Sequence, residues 1–233
     1  MDVPRIVIGV VALGFSVIFH EIAHGWVALK LGDTTARDRG RLTFNPLPHI
    51  SLFDTIVLPI VTLVTVGVPF GGAKPVPINP MNFRNPGFGM VLTSAAGPIS
   101  NLLLAAVSFG LMFGLYKAAP ATLYDGGARV LTYNGLFFAI MIFMNVLLAS
   151  FNLIPIPPLD GSRVLRYFLP EPGQRVLDRV EPFGLFIIIA LIWLGAISIL
   201  LIPFYVGLSI LIDAAFGRDF LSIMIHGLRG SRP

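Results

Sequence analysis

Residues 6–31 read IVIGVVALGFSVIFHEIAHGWVALKL. Up to Phe19 the run carries no ionisable side chain; His20, Glu21 and His24 then interrupt it before Lys30. A stretch this long and apolar suits a bilayer-crossing helix, which takes about 17–25 residues. If that helix ends near Lys30, His20 lies about 15 Å inside the end. Ionisable groups at such depth each cost on the order of 3 kcal/mol to insert. They therefore require a compensating partner, and a metal ion is the simplest one.

The rest of the chain repeats the apolar pattern. Of its 233 residues 55% are hydrophobic and 12% charged, and the mean hydropathy is +0.85. A soluble domain carries about 25% charge. Full-length spans are expected at 88–116 and 130–154, and 184–213 is long enough for a bent hairpin broken at Pro203. A shorter apolar segment, 56–70, is interrupted by Pro59, Gly67 and Pro69. The expectation is an all-α polytopic membrane protein with five to six membrane segments. No internal repeat or soluble second domain is visible, so residues 1–233 read as a single membrane-embedded domain.

The formal charge of +4 does not indicate nucleic acid. The basic residues lie in short loops between apolar runs, where Lys and Arg set topology, and no long basic run exists. With no Cys, disulfides, thiolate ligands and Cys nucleophiles are excluded. The first apolar run continues into HEIAH and is not read as a cleaved signal peptide.

Charge distribution also constrains topology. Loops 31–53, 71–87 and 160–182 and the C-terminal tail hold most of the Lys and Arg, whereas 117–129 holds Lys117 and Arg129. Full crossing by 56–70 would put loops 31–53 and 71–87 on opposite sides. A re-entrant segment there puts all the basic loops on the cytoplasmic side. Residues 71–87, GGAKPVPINPMNFRNPG, are rich in Pro and Gly and should be extended or turned. In 152–161, NLIPIPPLDG, three prolines should end the preceding helix.

His20-Glu21-Ile22-Ala23-His24 matches H-E-x-x-H. On a helix, residues four apart lie about 40° apart in azimuth and about 6 Å along the axis. Both imidazoles can then reach one Zn²⁺, while Glu21 reaches a water beside the metal rather than the metal itself. A site of this kind needs a third protein ligand. The remaining histidines are His49 and His226, and Asp160 stands out among the few carboxylates. Spacing alone leaves Asp160 open between ligand and N-cap of the following helix. The re-entrant topology favours the ligand, because it brings 160 and the end of the first helix to the same side.

These pieces together, namely HEIAH, GGAKPVPINPMNFRNP, AAGPISN at 95–101 and FNLIPIPPLDGSRVL at 151–165, resemble the site-2 protease family of intramembrane zinc metalloproteases, in a compact form without a PDZ domain. The resemblance implies one zinc per chain held by His20, His24 and Asp160 between the first span and the 152–161 segment. It implies Glu21 as catalytic acid and base, and Asn101 and Asn152 near the substrate path. For Asn101 an interhelical hydrogen bond is an equal alternative. For Gly97 and Pro98, close packing and a local bend are expected. The implied partners are membrane-protein substrates and the lipid bilayer; nucleic acid is already excluded by the charge distribution, and the short loops and absence of targeting features point to a prokaryotic plasma membrane, with an organelle as the alternative. A membrane metal transporter is the competing function, although it would need more polar residues along a path.

Overall fold

The computed structural model describes residues 3–67, 71–126 and 129–229. Among the described residues, four helices are long and apolar enough to cross a membrane: α1 (Val3–Lys30), α4 (Pro86–Ala118), α5 (Tyr133–Asn152) and α9 (Ala196–Phe216). At 1.5 Å per residue α1 is about 42 Å long, more than the hydrocarbon core of about 30 Å. Shorter helices are α2 (Thr35–Asp38), α3 (Leu58–Val66), α6 (Asp160–Phe168), α7 (Glu171–Val180), α8 (Gly184–Trp193) and α10 (Arg218–Arg229). Sheet among the described residues is one antiparallel hairpin, β1 (Tyr124–Asp125) with β2 (Val130–Leu131).

The chain divides into two compact units. The first comprises Met1–Ser16, Asn101–Leu147 and Ile202–Pro233. Its core is Met112, Leu123, Ile142, Ile212, Phe216 and Met224 with their neighbours. Phe216 meets Tyr116 and Phe220 at ring-centroid distances of 5.1 and 4.9 Å. The same unit holds a buried polar cluster. The Asn101 amide donates to the Ser16 carbonyl and to the Asn145 side chain, at 3.2 and 2.7 Å. Asn145 in turn donates to Ser16 Oγ and to the Met141 carbonyl, both at 2.8 Å.

The second unit comprises Val17–Ser100 and Leu148–Leu201. Here a π-helical turn, Leu52–Val57, leads into α3. Turn and helix together are about 22 Å long, short of a crossing. The chain also comes back to where it left: Gly72 N–H donates to the Asp54 carbonyl at 3.0 Å, and Thr55 Oγ1 donates to the Gly72 carbonyl at 2.8 Å. Such closure is what a re-entrant segment requires. Ile60, Leu63 and Val64 on α3 are exposed, as lipid-facing residues are. The distal end of the expected segment, 68–70, lies outside the described residues.

Three expectations need correction. The break in 184–213 falls at Gly195, whose φ of 73° suits glycine, and Pro203 sits inside α9. A proline removes one helical donor, a loss that membrane helices tolerate when the freed carbonyl is satisfied locally. The C-terminal segment is also no simple tail. It forms α10, whose Phe220, Ile223 and Met224 are buried while Arg218 stays exposed. The expected span at 130–154 starts later, at Tyr133, because Val130 and Leu131 are paired in β2.

Candidate metal centre

His20 and His24 lie on the second half of α1, one helical turn apart, and both are buried. Their Nε2 atoms are 2.9 Å apart. Asp160 arrives from the irregular stretch after α5, which contains Pro155, Pro157 and Pro158. There the chain passes so tightly that a Cβ on Gly161 would meet the Leu153 carbonyl oxygen at 2.3 Å. Glycine at 161 therefore lets α6 start at Asp160. The N-cap of α6 is Leu159, with no side-chain capping bond. The Asp160 carboxylate instead turns to the histidines, with Oδ2 3.2 Å from His20 Nε2 and 3.3 Å from His24 Nε2.

The chemistry of this triangle favours a cation. A carbonyl can only accept, so the 2.7 Å contact between His24 Nδ1 and the Thr93 carbonyl places the proton on Nδ1. The His24 Nε2 lone pair then faces a carboxylate oxygen and a second ring nitrogen. For tetrahedral zinc with bonds of about 2.0–2.1 Å, ligand atoms lie about 3.3–3.4 Å apart. The observed separations of 2.9, 3.2 and 3.3 Å are close to that. Two imidazoles and one carboxylate are a donor set that zinc accepts. The Thr93 carbonyl supplies the outer partner that fixes a ligating histidine's tautomer. Among the described residues no other group of His, Asp and Glu converges in this way.

Glycine at position 97 makes the triangle possible. A Cβ there would lie 2.5 Å from His20 Nε2 and from His24 Cε1. The backbone of α4 thus forms one wall of the site, and Pro98 follows inside the same helix.

Glu21, half-buried beside the histidines, is outside the triangle. Its Oε2 accepts the Val76 N–H at 2.8 Å. Val76 belongs to an extended segment, 71–79, held on one side at alternate residues. Besides the Gly72 contacts, Lys74 N–H donates to the His49 carbonyl at 2.7 Å, and Arg41 Nη2 donates to the Lys74 carbonyl at 2.5 Å. The far end is held by Asp33, buried just past the end of α1. Its carboxylate accepts the Asn79 N–H and the Asn82 amide, both at 2.7 Å, and the Thr35 hydroxyl at 2.5 Å. Burial would raise the Asp33 carboxyl, but these hydrogen bonds outweigh it and hold it below the usual carboxylate range. The sequence reading missed Asp33. Its local signal is an acid with Thr two residues on, and its partners are 46 and 49 positions away.

The other candidates make separate contacts. His49 Nε2 bonds the Thr43 carbonyl at 2.9 Å, and His226 Nδ1 bonds the Ser222 carbonyl at 2.8 Å. The Asn152 amide donates to the Leu148 carbonyl one turn back, at 2.9 Å. Asn101 belongs to the polar cluster of the other unit.

A family model described as Peptidase family M50 matches residues 119–195. The chain is 38% identical over 182 residues to a Bacillus subtilis protein named "Putative zinc metalloprotease YwhC", covering 78% of each chain. Over 184 residues it is 30% identical to a protein of the same designation, Rip2, of Mycolicibacterium smegmatis, covering 78% of this chain and 65% of that one. A relative so designated from Methanocaldococcus jannaschii is 30% identical over 161 residues, covering 69% and 70%. No solved structure matches the chain.

Proposed function

The chain belongs to peptidase family M50 and is a zinc metalloprotease of site-2 protease type, and from that premise we propose that it hydrolyses peptide bonds in or near the transmembrane segments of other membrane proteins. The observation that carries the proposal is the buried His20–His24–Asp160 triangle with Glu21 beside it, built into a protein with four membrane-length helices. In this reading His20, His24 and Asp160 hold the metal. Bound zinc supplies a Lewis acid that acidifies water and polarises a peptide carbonyl. Glu21 takes the proton from the attacking water and returns it to the leaving amine.

A scissile bond inside a helix has its carbonyl engaged, so the substrate must unwind locally. The extended segment 71–79 receives the unwound strand. Successive residues of a strand present their hydrogen-bonding groups to opposite sides. Residues 72, 74 and 76 face the protein, which leaves the other edge to Ala73, Pro75 and Pro77. Pro75 and Pro77 have no N–H, so that edge mainly offers carbonyl acceptors to substrate N–H groups. Scrambling 71–80 should raise KM for a membrane substrate, and an unchanged KM would rule the strand out. In this reading the site lies nearer the cytoplasmic face of a prokaryotic plasma membrane, and the basic loops support that sidedness.

Metal transport has less support. Outside the site, the Asp213 carboxylate near the end of α9 lies 3.6 Å from Arg218 rather than in a line of polar groups. Glu21→Gln separates the readings. Reconstituted zinc-loaded protein should lose membrane-peptide hydrolysis by about 10³-fold or more while keeping its zinc. Hydrolysis at the wild-type rate in that variant would reject the proposed mechanism.

A further inference from the structure

Beside the extended segment lies a half-open cavity of about 400 Å³. It is lined by Arg39, Arg41, Lys74, Pro48, Pro75 and Pro77. Three cations therefore meet without a carboxylate in the lining, and among the described residues no ion pair involves any of them. The nearest acid in sequence, Asp38, is already engaged by Arg37 and by the Thr34 hydroxyl.

Arg41 is the unusual member. It is only 7% exposed. One guanidinium nitrogen donates to the Lys74 carbonyl, while its Nε is buried with no partner. Burying a guanidinium costs several kcal/mol unless an opposite charge or a full set of hydrogen bonds compensates. A neutral carbonyl supplies only part of that. Lys74 and Arg39, both exposed, add like charge instead. An anion entering the cavity would relieve all three.

The position of the cavity narrows the class of anion. Lys74, Pro75 and Pro77 line it, and Val76 between them contacts Glu21. Two residues of extended chain cover about 7 Å. We infer that the Arg39–Arg41–Lys74 cavity is a carboxylate subsite, which takes an Asp or Glu side chain of the substrate within about three residues of the scissile bond. This inference rests on the protease reading and adds a charge preference to it. Anionic lipid headgroups are attracted to cations near a membrane surface as well. A peptide carboxylate fits better, because the cavity wall is the same strand that holds the catalytic carboxylate.

The test uses quenched-fluorescence transmembrane peptides carrying Glu, Ala or Lys at each of the positions flanking the apolar segment. Binding is measured first, to full-length zinc-loaded Glu21→Gln protein in neutral detergent. The Glu peptide should bind about tenfold more tightly than the Lys peptide at one or two positions, with the difference shrinking as salt rises. Adding Arg39→Glu and Lys74→Glu should reverse the order. Lys74→Glu alone should abolish it, which covers the case in which the double variant loses its fold, read as lost zinc. The same order of Kd in every variant, or no charge dependence, would overturn the inference. So would a dependence that appears only when anionic lipid is added, since the site would then belong to headgroups. If charge-dependent binding is found while Glu21-containing protein cleaves no peptide, the subsite stands and the protease reading fails.

Discussion

Two buried polar clusters interrupt the apolar helices, and they solve the cost of burial in opposite ways. In the first unit, Ser16, Asn101 and Asn145 pair donors with acceptors, and the group is neutral. In the second, His20, His24 and Asp160 turn two ring nitrogens and a carboxylate oxygen toward one point. The first cluster is complete as it stands and contributes cohesion, roughly 1 kcal/mol per hydrogen bond. The second turns three potential acceptor atoms to one point, an arrangement that a cation would complete. A polar group in a membrane helix is thus not by itself a site; an excess of acceptors marks one.

The sharpest way to break the comparison is Gly97→Ala. The added methyl overlaps both rings, so zinc affinity should fall by about 100-fold. The Ser16–Asn101–Asn145 cluster, which has no such wall, should be unaffected. Zinc titration checks this, and wild-type affinity would mean that α4 is not tight against the histidines. A smaller effect is expected from Asn145→Leu, which removes the centre of the neutral cluster. Stability should drop by about 1–2 kcal/mol in unfolding experiments, with zinc content and kcat per bound zinc unchanged. Loss of zinc there would merge the two clusters into one functional unit.

The smallest effect concerns Asp33, a third buried polar group and one that carries charge. Its folded-state pKa lies below the ordinary value. Its stabilisation is therefore present above the unfolded pKa of about 3.9 and lost as pH falls through the folded value. Wild type and Asp33→Asn should differ in Tm at pH 7 and converge toward pH 3. A constant difference across that range would mean that Asp33 acts by shape rather than by charge.

Much of this was legible in the sequence, for identifiable reasons. His20, Glu21 and His24 share one helical turn, so their relation is local and a five-residue pattern reveals it. Asp160 lies far along the chain and was reached only through topology and resemblance; its carboxylate could equally have capped a helix. The gap between Asp54 and Gly72 closes by one backbone hydrogen bond and one from the Thr55 hydroxyl, neither announced by a local pattern, and loop charge served as an indirect signal. Pro203 misled because proline reads as a breaker, whereas the actual break is a positive-φ glycine in an apolar run. The Asp33 clamp and the Arg39–Arg41–Lys74 cavity join segments more than 30 residues apart, and a single sequence carries no trace of that proximity.

The central claim is that the triangle is a zinc site with Asp160 as its third ligand. Mass-spectrometric metal content of purified protein, wild type beside His24→Ala and Asp160→Ala, tests it most directly. The account predicts about one zinc per wild-type chain and loss of that zinc in both variants. Zinc retained at wild-type stoichiometry in Asp160→Ala would contradict it and move the third ligand elsewhere.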